Sequence, residues 1–102
     1  MQVFIEESQA QIAELCRAYH VRRLALFGSA ARDDFDPGRS DIDLMVEFEP
    51  NSAQNRFESY FRLHAALEQV LRRKVDLIEA GSVKSPYIQR TVERDQRALY
   101  AA

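Results

Sequence analysis

Residues 40–49 read SDIDLMVEFE, a stretch in which apolar side chains occupy every second position. This alternation predicts a β-strand with one face in the core, because successive side chains of a strand point to opposite faces. On the other face, Asp41 and Asp43 project in the same direction, with Cα atoms about 6.5 to 7 Å apart. The strand therefore combines an acidic face with a core-forming face, made by Ile42, Leu44, Val46 and Phe48.

Helices and further strands are predicted on both sides of this strand. The helices are expected at residues 4–20, 52–73 and 85–95, and the strands at residues 22–27, 75–78 and 97–100. Ser52 is a suitable N-cap for the long helix, and Ser85 followed by proline is a favourable start for the last one. The order of elements predicts an α/β (α+β) fold, a small mixed β-sheet with flanking helices, in a single domain over residues 1–102.

Composition and charge narrow the classes of protein. Of the 102 residues, 46% are hydrophobic and 29% are charged, which is ordinary for a globular domain. A net charge of -2 gives no general attraction to nucleic acid, so direct nucleic-acid binding is not expected. The first residues resemble neither a secretory signal nor a membrane span, and the one cysteine, Cys16, falls among apolar positions of the first helix. We expect a cytoplasmic protein with no membrane association.

Acidic residues and a glycine-serine pair form the candidate site. Asp41 and Asp43 repel each other, but Mg²⁺ favours carboxylates, phosphate oxygens and water as ligands. Asp76 has apolar neighbours in its predicted strand, where an unpaired acid would be costly, so it is a candidate third ligand. Gly28 and Ser29 follow the strand over residues 22–27. Backbone N–H groups of such a turn, with the Ser29 hydroxyl, can bind a phosphate.

Simpler interpretations stay open for these residues. Asp41 and Asp43 could form the solvated face of an edge strand, which needs no metal. Asp76 could be an edge-strand acid paired with Lys74 or with an arginine. His64, in the long helix, is expected to pack at the boundary of the core rather than to act as a ligand or a base.

The chain resembles the DNA polymerase beta superfamily of nucleotidyltransferases in three motifs and their spacing. The motifs are FGS at residues 27–29, DIDL at 41–44 after eleven intervening residues, and VDLI at 75–78. The resemblance is closer to the minimal, MNT-type branch, whose members are antitoxins paired with HEPN-domain toxins. It implies a polymerase-beta-like fold and a two-metal Mg²⁺ site in which Asp41, Asp43 and Asp76 are the catalytic ligands. It also implies that Gly28 and Ser29 bind the triphosphate of ATP.

The same resemblance implies a reaction and a partner. We expect transfer of AMP from ATP to a hydroxyl, a tyrosine by preference, of a partner HEPN toxin, so that the chain acts as an antitoxin in a homo- or hetero-oligomer. Two alternatives stay open: a non-catalytic antitoxin that binds its toxin, and a nucleotidyltransferase that modifies a small molecule such as an aminoglycoside. Arg32 and Arg39 flank the phosphate turn and either neutralise the triphosphate or pair with nearby aspartates.

Overall fold

A computed structural model describes residues 3–28, 31, 41–50, 56–81 and 85–102, and within these residues the chain forms four helices and four strands. They are α1 (Val3–Glu7), α2 (Gln9–Ala18), β1 (Val21–Phe27), β2 (Ile42–Phe48), α3 (Arg56–Leu71), β3 (Val75–Glu79), α4 (Pro86–Asp95) and β4 (Arg97–Ala101). The predicted α/β fold is confirmed. None of the described helices is both long and apolar enough to cross a membrane.

The strands form one mixed sheet in the order β3-β2-β1-β4. β1 pairs antiparallel with β2 and with β4, whereas β2 and β3 run parallel. A parallel pair cannot be closed by a hairpin and needs a crossover, which α3 provides between β2 and β3. β2 is consequently an internal strand, so Asp43 is not on an edge strand, contrary to the simpler interpretation.

The two faces of β2 follow the predicted alternation. Its apolar side chains are buried, whereas Asp43, Met45 and Glu47 are half-buried. Helices α1 to α3 cover the apolar face and contribute completely buried side chains, among them Ile5, Ile12, Leu63 and Leu67. On the opposite face, Met45 and the buried Val92 of α4 line one shallow pocket. The sheet is therefore a layer with helices on both sides.

The single helix predicted over residues 4–20 is wrong, because the helix is interrupted at Ser8. The Ser8 hydroxyl donates a hydrogen bond of 2.9 Å to the carbonyl oxygen of Phe4. A serine side chain bonded to the carbonyl four residues earlier competes with the backbone and bends a helix. The apolar spacing continues through this position, which is why the pattern alone suggested one helix.

Other predicted boundaries differ in detail. β2 begins at Ile42, whose N–H donates to the Lys74 carbonyl oxygen at 3.0 Å, so Asp41 lies just before the strand. α4 begins at Pro86 with Ser85 at its N-cap, as predicted, although the Ser85 hydroxyl forms no capping hydrogen bond. Ser52, the predicted N-cap of the long helix, lies outside the described residues.

The environment of Cys16 predicts an unreactive thiol. Cys16 is completely buried, and burial raises the pKa of its thiol to about 12. Because the thiolate is the reactive form, we expect a disulfide reagent such as DTNB to leave the native protein unlabelled at pH 8. Unfolding in urea should expose the thiol and allow complete labelling, which absorbance measures. Equal labelling rates with and without urea would contradict the buried position.

The same shift gives a pH dependence of stability. The thiol has a higher pKa in the folded chain than in the unfolded one, so its contribution to stability is complete below the unfolded pKa, about 8.5. It is lost as the pH rises from there towards 12. We therefore expect urea denaturation of a Cys16→Ala variant to show a smaller decline between pH 8 and pH 10 than the wild type. An identical decline would contradict the assigned cause.

Candidate active site

Two carboxylates oppose each other across the parallel strands. The register pairs Asp43 of β2 directly with Asp76 of β3, and neighbouring strands lie about 4.8 Å apart. Side chains of directly paired residues share one face of a sheet, and like charges in such a pair repel. The structure therefore brings together two of the three aspartates that the sequence predicted as ligands, and their two carboxylates concentrate negative charge at this point of the sheet.

Asp41 reaches the same region from the start of β2. It lines a pocket of about 410 Å³ together with Asp76, and the pocket is walled by the beginning of β3 and by one side of α3. The residues that line it are Asp41, Tyr60, His64, Lys74, Val75, Asp76 and Leu77. Asp43 is not among them. Asp76 is thus close to both of the other aspartates. It shares the pocket with Asp41 and is paired with Asp43 in the strand register.

Gly28 lies against Asp43 at the end of β1. The strand register pairs Phe27 with Asp43, which places the next residue, Gly28, beside the carboxylate. A Cβ atom at Gly28 would overlap Oδ2 of Asp43 and would lie 3.2 Å from its Cγ. The backbone φ angle of Gly28 is +70°, a left-handed conformation that glycine adopts without strain. Both the conformation and the space therefore require glycine here.

Ser29, Arg32 and Arg39 lie outside the described residues. The predicted roles of these three residues stay predictions.

The predicted metal site can be compared with the donor atoms that are present. Among the described residues, no three His, Cys, Asp or Glu side chains are gathered closely enough to hold a metal ion in their present conformations. The chemistry of the donors nevertheless fits Mg²⁺, since in-register carboxylates offer hard oxygen ligands and their mutual repulsion favours a cation. Metal binding by Asp41, Asp43 and Asp76 remains a prediction from the sequence.

The setting of Asp76 differs from the sequence-based expectation. Its neighbours Val75 and Leu77 are buried, but the Asp76 side chain is exposed, because alternation along β3 turns it away from the core. The expectation that apolar surroundings make the Asp76 carboxylate costly is therefore wrong. The alternative of an edge-strand acid is correct in position, since β3 lies at the edge of the sheet, but the described residues show no ion pair of Asp76 with Lys74 or with an arginine.

The outer edge of β3 is covered by polar side chains of α3, which the sequence analysis did not anticipate. The Tyr60 hydroxyl donates to the carbonyl oxygen of Leu77, and Nε2 of His64 donates to that of Val75 at 2.6 Å. The N–H of Val75 donates to Oε2 of Glu68 at 2.9 Å. These side chains satisfy backbone groups of the edge strand on both sides of Asp76. Their spacing of four residues along one helix face was the available sequence signal.

The protonation of the Tyr60 hydroxyl agrees with its role as a hydrogen-bond donor. Burial raises the pKa of its hydroxyl above the ordinary value, and the negative charges of Asp76 and Glu79 raise it further. The hydroxyl therefore stays protonated at neutral pH. His64 lies at the boundary of the core, as predicted, but it also holds the edge strand rather than packing alone.

Comparisons with known proteins find similar sequences over most of the chain. Residues 9–99 match the nucleotidyltransferase domain family. A protein of Methanocaldococcus jannaschii, named as a candidate protein adenylyltransferase, is 44% identical over 77 residues, which cover 76% of this chain and 75% of that protein. The protein adenylyltransferase MntA of Thermococcus cleftensis is 35% identical over 82 residues, covering 80% of this chain and 78% of that protein.

Solved structures share the fold. A candidate minimal nucleotidyltransferase aligns with a TM-score of 0.74 and 28% identity, over 90% of this chain and 89% of that one. A toxin-antitoxin complex with AMP-PNP aligns with a TM-score of 0.68 and 23% identity, over 92% and 73% of the two chains. A complex of tri-AMPylated Shewanella oneidensis HEPN toxin with its MNT antitoxin aligns with a TM-score of 0.64 and 21% identity, over 96% and 73%. The last two show the fold alone.

These matches and the carboxylate geometry establish the class of enzyme. The family match spans nearly all of the described elements, from the start of α2 into β4, and includes Gly28, Asp41, Asp43 and Asp76. The chain belongs to the nucleotidyltransferase family.

Proposed function

We propose that the chain is a cytoplasmic, Mg²⁺-dependent protein adenylyltransferase that transfers AMP from ATP to a hydroxyl of a HEPN-domain toxin and so acts as an antitoxin. The observation that carries the proposal is the in-register pair of Asp43 and Asp76 beside Gly28, whose missing side chain leaves room for the Asp43 carboxylate. The relatives named as protein adenylyltransferases support the reaction. The fold shared with the antitoxin bound to an AMPylated HEPN toxin supports the partner.

Each residue of the site has a part in the proposed reaction. Asp41, Asp43 and Asp76 would hold Mg²⁺, which when bound neutralises charge on the triphosphate and on the attacking and leaving oxygens. The turn at Gly28 and Ser29 would bind phosphate oxygens through backbone N–H groups and the Ser29 hydroxyl. Because Gly28 has no side chain, the Asp43 carboxylate of β2 can lie against the backbone that follows β1.

The proposed transfer is an in-line displacement at the α-phosphorus of ATP. The acceptor oxygen, taken here as that of a tyrosine, bonds to the α-phosphorus while the bond from this phosphorus to the oxygen leading to the β-phosphorus breaks. Pyrophosphate leaves with that oxygen, and the hydroxyl proton passes to a carboxylate, for which Asp76 is the candidate. Because the Asp76 side chain is exposed at an edge strand, the hydroxyl of another protein has access to it.

Replacing Asp43 by asparagine should abolish the transfer while keeping the shape of the side chain. We expect the rate to fall at least about a hundredfold, since loss of a charged ligand costs several kcal/mol in the transition state. The measurement is the intact mass of a purified HEPN-domain toxin, the proposed partner, after incubation with Mg²⁺ and each nucleoside triphosphate in turn. A gain of one or more nucleoside monophosphates reports transfer.

Glu47→Gln is the matched control for Asp43→Asn. Glu47 lies on the same face of β2, but it forms a surface ion pair with Arg22 at 3.7 Å and should leave the rate unchanged. The proposal of catalysis is wrong if the wild type leaves the partner unmodified with every nucleotide and still restores growth to cells that express the toxin. The chain would then neutralise its partner by binding.

Replacing Gly28 by alanine should also stop transfer, for a steric reason. The new Cβ would displace the Asp43 carboxylate, so we expect a loss of at least about tenfold in rate besides the roughly 1 to 2 kcal/mol of backbone strain. Gly81→Ala is the control, because Gly81 also has a positive φ of 89° but has nothing within 4 Å of its added Cβ. Both variants should remain folded at the assay temperature in thermal unfolding, with the larger shift in Gly28→Ala because its Cβ also displaces Asp43, and only Gly28→Ala should lose activity. Equal activity in the two would refute the steric role.

A further inference from the structure

An exposed aromatic groove lies at the start of α3. It has a volume of about 390 Å³, and its apolar lining consists of Phe57, Tyr60, Phe61, Leu77 and Ile78. Phe57 and Phe61 are 79% and 52% exposed. Apolar side chains of this size are costly to leave in water, and exposed aromatic clusters mark surfaces that bind other molecules. This surface is called the aromatic groove below.

The aromatic groove is held in a defined shape. The rings of Phe57 and Phe61 meet edge to face with centroids 4.8 Å apart, and those of Tyr60 and Phe61 with centroids 5.2 Å apart. Tyr60 is fixed in turn by its hydrogen bond to the Leu77 carbonyl oxygen. Rings that are ordered before binding lose little conformational entropy when a partner arrives, which favours affinity.

The aromatic groove is continuous with the candidate active site. Tyr60 and Leu77 line both the groove and the pocket that contains Asp41 and Asp76. The groove also has a polar rim, where Nε of Arg56 lies 3.6 Å from Oε1 of Glu79. An apolar centre with a charged rim is the usual composition of a protein-binding site, in which buried aromatic residues supply most of the affinity.

The order of the strands indicates which reactant occupies the groove. Gly28 follows β1, Asp43 lies on β2, Asp76 lies on β3, and the groove is beyond the outer edge of β3. If the triphosphate lies at Gly28, the carboxylates separate it from the groove. In-line displacement requires the acceptor oxygen to approach the phosphorus from the side opposite the departing pyrophosphate. The acceptor therefore comes from the β3 side.

We propose that the aromatic groove binds the acceptor protein, through a large apolar side chain close to the hydroxyl that receives AMP. The proposal rests on the proposed function above and adds the surface that selects the acceptor. Charged groups of the acceptor segment would pair with the rim formed by Arg56 and Glu79. The competing occupant is the adenine base of ATP. If the acceptor binds in the groove, groove variants weaken the affinity for the partner protein, whereas if adenine binds there, they weaken the affinity for ATP.

The test compares Phe57→Ala and Phe61→Ala with Val3→Ala. Val3 is also an exposed apolar residue, at 65%, and its neighbour Phe4 packs against Arg73 just beyond the far end of α3. With 16 residues, α3 is about 24 Å long, so Val3 is remote from the groove. The probe is a purified HEPN-domain toxin, the proposed partner. Calorimetry gives its Kd, and steady-state transfer gives separate KM values for this protein and for ATP.

We expect each groove variant to raise the Kd and the KM for the partner protein at least tenfold, with the KM for ATP within twofold of the wild type. Val3→Ala should change none of these. A rise in the KM for ATP instead would assign the groove to the adenine base and overturn the proposal, as would unchanged values or a wild type that does not bind the partner. If binding depends on the groove but no AMP is transferred, the proposed reaction fails and the docking surface stands.

Discussion

The parallel pairing of β2 with β3 is the arrangement on which the candidate site depends. It sets Asp43 opposite Asp76, and it does so at the cost of placing two negative charges on neighbouring strands. A parallel pair also demands a crossover, so the chain must leave the end of β2, pass over the sheet as α3 and return at the start of β3. The site and the longest helix are therefore consequences of one pairing.

Helix α3 serves this arrangement with three different sets of residues. Its buried row, which includes Leu63 and Leu67, fastens the helix to the apolar face of the sheet. The adjacent polar row binds the backbone of β3, through Tyr60, His64 and Glu68. Such bonds block the addition of another strand and fix the segment that carries Asp76. The first two turns are different again, since the rings of Phe57 and Phe61 remain exposed next to the pocket that contains Asp41 and Asp76.

Several features of the candidate site do not favour folding. Carboxylates in register cost folding free energy by repelling each other, and the solvent-exposed phenylalanines forgo the stabilisation that burial would give. The remaining core is regular and apolar, from Ile5 to Leu99, and it offsets these costs. This distribution is the one expected at a functional site, where side chains serve chemistry or binding rather than packing.

The sequence by itself determined the approximate positions of the four strands and of α3 and α4, the two faces of β2 and the motifs of the family, because periods of 2 and 3.6 residues are local properties of a chain. Tertiary structure decided that β2 is internal, that Asp43 meets Asp76, and that Asp76 is exposed rather than enclosed by apolar groups. Register and strand order depend on packing between segments that are distant in sequence, and no local period encodes them. The break at Ser8 and the hydrogen bonds of α3 to β3 were hidden for a related reason, since each depends on one side chain reaching one particular carbonyl or N–H group.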